Sequence, residues 1–279
     1  MAHKLTRIHV LLFIATFLTT LIAGAFFLHG VIPWETPENI YLGLPFSLTL
    51  LFILLVHEMS HYLASRKHGV PATLPYFIPA PTIFGTFGAI IKMKPPIPDR
   101  RTLIDIGAAG PIGGFIVAVI AVIIGLSRSE VRPIEAVGEG IAFGDSLLLT
   151  VLTRLVLDID PEKYTIMLNP VLFAGWIGLL VTSLNLLPIG QLDGGHITYA
   201  LFGEKHEMIS KAMLPVLVIL GIVFWPGWLV WAVLMLVIGY RHPPVVYPHI
   251  QLDRKRKLIG WVSLAIFILT FTPVPVQGL

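Results

Sequence analysis

The chain has 279 residues, a formal net charge of +3, a pI near 9.2, 56% hydrophobic residues and only 13% charged ones. Soluble domains carry about 25% charged residues, so the composition excludes an ordinary soluble domain and points to a polytopic membrane protein. The basic residues stand at the ends of apolar segments rather than in one patch, which argues against a nucleic-acid partner, and without cysteine any zinc site must be built from His, Asp and Glu.

The first apolar segment, Ile8 to Leu28, follows Lys4 and Arg7. Its length of roughly 20 residues exceeds the usual apolar stretch of a signal peptide and predicts an uncleaved transmembrane helix. The second apolar run, Phe46 to Ala64, contains His57-Glu58-Met59-Ser60-His61 and ends on Arg66 and Lys67. From Val70 to Pro98 the density of proline and glycine forbids a continuous helix, while Thr82 to Lys94 is β-branched and aromatic enough for a short hairpin. An open strand cannot face lipid, so this segment is expected to be re-entrant, shielded or interfacial, with an edge that could pair with an extended peptide.

A third span is expected over Leu103 to Leu126, where Gly107, Gly110, Gly113 and Gly114 would allow close helix packing. The connection Ser127 to Thr165 holds four basic and seven acidic residues, and Ser146 to Leu157 within it reads as an interfacial helix. A fourth span covers Ile166 to Leu187. Trp225-Pro226-Gly227-Trp228 then splits an apolar stretch into a hairpin of Ala212 to Phe224 and Leu229 to Tyr240, with both tryptophans expected at the membrane interface. A last span, Leu258 to Phe271, follows the Arg254-Lys255-Arg256-Lys257 cluster, read as a topology anchor.

These elements predict an all-α polytopic membrane protein of about six to seven transmembrane helices with one short membrane-associated β-hairpin or re-entrant segment. It would be a single integral domain over residues 1–279, with a catalytic core at about 46–240 flanked by spans at 8–28 and 258–271. The Lys/Arg bias puts the N-terminus, Arg66-Lys67, Arg100-Arg101, Lys205-Lys211 and the 254–257 cluster on the cytoplasmic side of a prokaryotic membrane. His57 and His61 would then lie near the cytoplasmic end of their helix, within reach of water.

The H-E-x-x-H motif carries the chemistry. Residues four apart share a helix face, so both imidazoles can reach one metal ion while Glu58 handles a proton. A charged side chain at the centre of a membrane helix costs about 2.5–3.5 kcal/mol on insertion scales, a cost that a bound divalent cation would offset. A catalytic zinc usually takes three protein ligands, and the strongest third candidate is Asp193, in the run Asn185-Leu186-Leu187-Pro188-Ile189-Gly190-Gln191-Leu192-Asp193-Gly194-Gly195-His196, where Pro188 and the glycines interrupt the helix. His196 is expected to be a helix-terminal polar residue, and His68, His206, His242 and His249 to be solvated.

Together, His57-Glu58-x-x-His61 and the later Asn185-x-x-Pro188-x-x-x-Leu192-Asp193-Gly194 resemble the signature of the site-2 protease family of intramembrane zinc metalloproteases. Gly85-Thr86-Phe87-Gly88-Ala89 and Ala109-Gly110-Pro111-Ile112-Gly113-Gly114 are also similar to family members, including the plastid and prokaryotic types without a PDZ domain. The resemblance implies one Zn²⁺ per chain on His57, His61 and Asp193, and a transmembrane protein as substrate in the lipid bilayer. Glu58 would be the general base, with Asn185 binding the oxyanion or the substrate backbone. Two other readings compete: a divalent-metal transporter that uses the same three ligands as a transit site, and a catalytically silent homologue that binds membrane proteins. A transporter has no need of Glu58 beside a ligand, and the chain shows no internal repeat.

Overall fold

A computed structural model describes residues 5–134, 141–159 and 163–278. Its elements in chain order are α1 (Arg7–His29), a 3-10 helix (Pro37–Gly43), α2 (Leu44–Lys67), β1 (Tyr76–Pro79), β2 (Thr86–Ile90), α3 (Arg100–Leu126), β3 (Val131–Pro133), β4 (Ile141–Phe143), α4 (Leu147–Leu157), β5 (Tyr164–Ile166), α5 (Pro170–Asn185), α6 (Asp193–Phe202), α7 (Lys205–Val223), α8 (Gly227–Ile238), α9 (Arg254–Thr270) and β6 (Val276–Gly278). The protein is mostly helical. Among the described residues, four helical segments, Arg7–His29, Pro37–Lys67, Arg100–Leu126 and Lys205–Val223, are long and apolar enough to cross a membrane. The chain divides into two compact units, one of residues 1–94, 113–137 and 152–179, the other of 95–112, 138–151 and 180–279.

In the first unit α1 lies against the 3-10 helix, α2 and β1. Gly24 admits the Phe46 ring, since a Cβ there would come within 2.8 Å of the ring, and the Thr20 and Ser47 hydroxyls share a hydrogen bond of 2.6 Å. Such small and hydroxylated residues are what close helix contacts need in lipid, where the surroundings are as apolar as the core. Phe173 is fully buried and stacks on Phe46 at 5.3 Å and on Phe27 at 6.0 Å. Pro45 in the first turn of α2 gives up an amide with no helical partner, and Arg66 and Lys67 oppose the dipole at its other end.

The sequence puts a hairpin over Thr82 to Lys94, whereas the strands paired here are β1 and β2, antiparallel with Tyr76 opposite Ile90. Thr82 to Phe84 lie in the turn between them. Thr86 accounts for the offset, because its hydroxyl donates back to the Ile78 carbonyl at 2.7 Å and draws the upstream segment into register. The Thr19 hydroxyl reaches the Gly85 carbonyl at 2.6 Å and ties the turn to α1.

In the second unit α7 and α8 form a hairpin around Leu187, Ile189, Leu217, Trp228, Ala232 and Met235. Trp228 faces into the fold. It is 1% exposed, and its indole N–H donates to the Pro273 carbonyl at 2.7 Å, so the polar edge that draws tryptophan to an interface is satisfied inside the fold. Helix α7 begins seven residues before the apolar segment that marks it in sequence, through the polar Lys205–Lys211 stretch.

Two of the basic groups read as topology anchors also make specific contacts. Arg100 donates from Nε to the Ala200 carbonyl at 2.6 Å and from a terminal nitrogen to the Leu201 carbonyl at 2.7 Å, covering the end of α6. Arg256 bonds Asp105 of α3 at 2.6 Å and Asp253, the N-cap of α9, at 2.5 Å, and burial leaves 26% of its side chain exposed and 19% of that of Asp105. Arg256→Ala removes the guanidinium bonds to Asp105 and Asp253, and we expect a loss of about 1–3 kcal/mol of stability. Thermal unfolding in detergent checks this, with exposed Lys255→Ala as the near-silent control; equal effects of the two would refute it.

Candidate metal centre

The H-E-x-x-H residues occupy the fourth and fifth turns of α2, and an unbroken helix fixes their geometry. His57, Glu58 and His61 are 4%, 7% and 5% exposed. The Nε2 atoms of His57 and His61 stand 3.2 Å apart, with ring centroids at 4.9 Å and planes at 68°. Two zinc–nitrogen bonds of about 2.0–2.1 Å meeting at a tetrahedral angle would place the nitrogens roughly 3.3 Å apart. The pair is therefore spaced as a chelate, and the histidine part of the expected donor set fits a divalent zinc ion.

Part of that spacing is set from outside the helix. The stretch of α3 in the first unit brings Gly113 and Gly114 against α2. A Cβ at Gly114 would stand 2.9 Å from His57 Nδ1 and 3.2 Å from its Cβ, and one at Gly113 would collide with the Ser60 hydroxyl. The glycines thus do more than shorten a helix–helix distance: they leave the space that the His57 ring occupies. Nothing in the sequence marks this contact, since there the two glycines read as generic packing residues. The Ser60 hydroxyl itself donates to the Val56 carbonyl at 2.7 Å, so it is held along α2.

Asp193 belongs to the second unit and is the first residue of α6, not a loop residue. The chain leaves α5 at Asn185, turns through Pro188 and Gly190 with φ +47° at the glycine, and re-enters a helix at Asp193. The turn is held by the Gly190 amide, which donates to the Ser210 hydroxyl at 3.1 Å, and by the Leu192 amide, which donates to the Ile189 carbonyl at 3.0 Å. Gly194 and Gly195 pack so tightly on the carbonyls of Leu186 and Gly190 that neither position has room for a Cβ. The Asp193 carboxylate is half-buried in the first turn of α6, where the helix dipole favours negative charge. Asn185 is also half-buried, at the last position of α5.

The donor types expected from the sequence are thus two buried imidazoles on α2 in one unit and the half-buried Asp193 carboxylate that opens α6 in the other. Two imidazoles and one carboxylate suit zinc and leave a coordination position for water or substrate. The remaining histidines correct the sequence expectation in part. His206 is 1% exposed and His196 8%, so neither is solvated, while His249 is exposed.

Residues 45–225 match the family described as Peptidase family M50. The chain is 34% identical over 240 residues to a protein of Arabidopsis thaliana named "Probable zinc metalloprotease EGY1, chloroplastic", an alignment that covers 83% of this chain and 43% of that one. It is 37% identical over 164 residues to "Probable zinc metalloprotease EGY2, chloroplastic" of the same plant, covering 58% of this chain and 29% of the relative. A rice relative, "Probable zinc metalloprotease EGY1, chloroplastic" of Oryza sativa subsp. japonica, is 33% identical over 239 residues, covering 83% and 41%. The chain spans less than half the length of these relatives. No solved structure matches it.

Proposed function

Because the chain belongs to peptidase family M50, we propose that it is an intramembrane zinc metalloprotease that hydrolyses peptide bonds in or near transmembrane segments of other membrane proteins. The observation that carries this reading is the pair of buried imidazoles at chelating distance on α2 beside a buried glutamate, in a helical segment apolar enough to cross a bilayer. His57, His61 and Asp193 hold one zinc ion per chain, and the relatives named as zinc metalloproteases support the choice of metal. Bound there, zinc supplies a Lewis acid that polarises the scissile carbonyl and acidifies water at the site to a pKa of about 7.

The other steps belong to the chain's own side chains. Glu58 follows His57 by one residue, about 100° around the helix, so its carboxylate flanks the ligand face rather than joining it. From there it removes the proton of the attacking water and returns it to the leaving amine, the double duty of a general base that becomes a general acid. Burial holds water to the few molecules the site admits and strengthens each charge interaction. Asn185 offers an amide N–H to the developing oxyanion or to the substrate backbone.

The finer topology follows the charge bias: six to seven spans, with the active site toward the basic, cytoplasmic face of a prokaryotic membrane. The relatives are named as chloroplast proteins, so the compartment itself is read from charge alone. A metal transporter remains the competing class, and a glutamate buried next to a ligand favours the protease.

The test is metal removal. Purified protein co-reconstituted with a transmembrane substrate should lose cleavage on treatment with a strong zinc chelator and regain it when zinc is returned. Asp193→Ala should weaken zinc retention by at least about 100-fold, more than loss of a supporting contact costs. Cleavage that persists in protein shown by elemental analysis to be metal-free would end this reading.

A further inference from the structure

The Arg254-Lys255-Arg256-Lys257 cluster forms the first turn of α9. Its first three residues line a cavity of about 490 Å³ in the second unit, together with Asp105, Asp253 and Ile259. Arg256 satisfies both acids of that cavity through its bonds to Asp105 and Asp253. Arg254, Lys255 and Lys257 are exposed and make no ion pair among the described residues. Arg101, whose Nε donates to the Gln251 carbonyl at 2.8 Å, adds a further exposed cation just ahead of the helix. Once the internal pairs are discounted, the cavity is cationic.

This placement works against the helix, because positive side chains in a first turn meet the positive pole of its dipole. A topology signal needs only the number of basic residues on one side of a membrane, so it does not account for their gathering at this pole and around a cavity. The Asp253 carboxylate takes the Arg256 amide at 3.0 Å and the Asp253 carbonyl takes the Lys257 amide at 3.0 Å, while the amides of Arg254 and Lys255 have no acceptor among the described residues. An anion in the cavity would offset the side-chain charges, the dipole and the free amides together.

We propose that this cavity binds the phosphate of an anionic phospholipid whose acyl chains lie along α9. The surface that continues from the cavity fits that occupant. Leu258 and Val262 follow Arg254 at four-residue steps and Trp261 at seven, so all three stand on the side of the helix that Arg254 marks, and all are exposed. Two turns of helix span about 10 Å, which sets Trp261 below the cavity, where headgroups give way to acyl chains and where tryptophan is enriched. Its ring is 53% exposed and meets Phe202 of α6 edge-on at 6.4 Å, leaving the polar edge of the indole for the ester groups of a lipid. A free phosphate ion would fill the cavity and leave this face unmatched; cavity, indole and apolar face in sequence select a phospholipid. A choline headgroup would bring its own ammonium against the cations, so the lipid carries a net negative charge.

Phosphatidylglycerol is the probe, with phosphatidylcholine of the same acyl chains as the reference. Full-length protein in a neutral detergent is titrated with each, and bound lipid is counted by native mass spectrometry. Wild type should bind phosphatidylglycerol at least about 10-fold more tightly than phosphatidylcholine. Arg254→Gln with Lys255→Gln should abolish that preference, and Arg254→Gln alone should weaken it. The preference should survive Arg66→Gln with Lys67→Gln, which removes equal charge from the basic end of α2. Millimolar inorganic phosphate should leave the lipid in place, and thermal unfolding in lipid-free detergent verifies that each variant is folded. No preference in wild type, an equal loss in the two double variants, or displacement of the lipid by inorganic phosphate would each overturn the proposal. None of these readouts depends on zinc or on cleavage, so they stand or fall apart from the proposed hydrolysis.

Discussion

Glu58→Gln should lower cleavage of a co-reconstituted membrane substrate by about 10²–10⁴-fold, the range that a positioned general base contributes, while zinc content stays at the wild-type level. The two substituents are nearly the same size, so the helix and the adjacent His57 are undisturbed and only the proton-accepting capacity is lost. This result separates the candidate functions. A transporter moving zinc through His57 and His61 has no step that needs proton abstraction beside them, and a silent homologue has no cleavage to lose. Equal cleavage by wild type and variant would remove Glu58 from the mechanism and with it the protease assignment.

Gly114→Ala should be nearly as damaging, though the added group is a single methyl. Its Cβ would lie 2.9 Å from His57 Nδ1 and 3.2 Å from His57 Cβ, inside ordinary contact, so either the ring turns or the helices separate. Overpacking of this kind costs about 1–3 kcal/mol. If the ring yields, the chelating pair at 3.2 Å is spoiled and zinc affinity should fall by about 10–100-fold, the usual cost of disturbing a contact that orients a ligand. Equilibrium zinc competition measures the first and thermal unfolding the second. Unchanged zinc affinity together with a large stability loss would show that the backbone gives way and that Gly114 serves packing alone.

Features fixed by local chain chemistry are legible in the sequence alone. The α2 motif needs only the 3.6-residue period to aim His57 and His61 together, and Pro188 with the glycines announces the break in the helix that precedes Asp193. The structure adds that Asp193 is itself the first helical residue. Features set by distant neighbours are not legible there. Nothing near His206 indicates that it will be buried, because its polar surroundings from Lys205 to Lys211 look solvated, and its burial depends on α6 and the segment after α8. Gly114 acquires its meaning from His57, and β4 pairs with β6 from the far end of the chain. The inward turn of Trp228 is equally hidden, because its indole partner, the Pro273 carbonyl, lies 45 residues away.

The two bonds from Arg100 to the last carbonyls of α6 have one further effect. A ten-residue helix is a rod of about 15 Å, with Asp193 at one tip and the Arg100 guanidinium clamping the other. A rod held only at its tight glycine end would swing, and a tilt of a few degrees at a fulcrum would carry the opposite tip by about an ångström. The clamp makes α6 a beam fixed at both supports. The aim of the carboxylate is therefore governed in part from the far side of the helix, by a residue with no place in the chemistry.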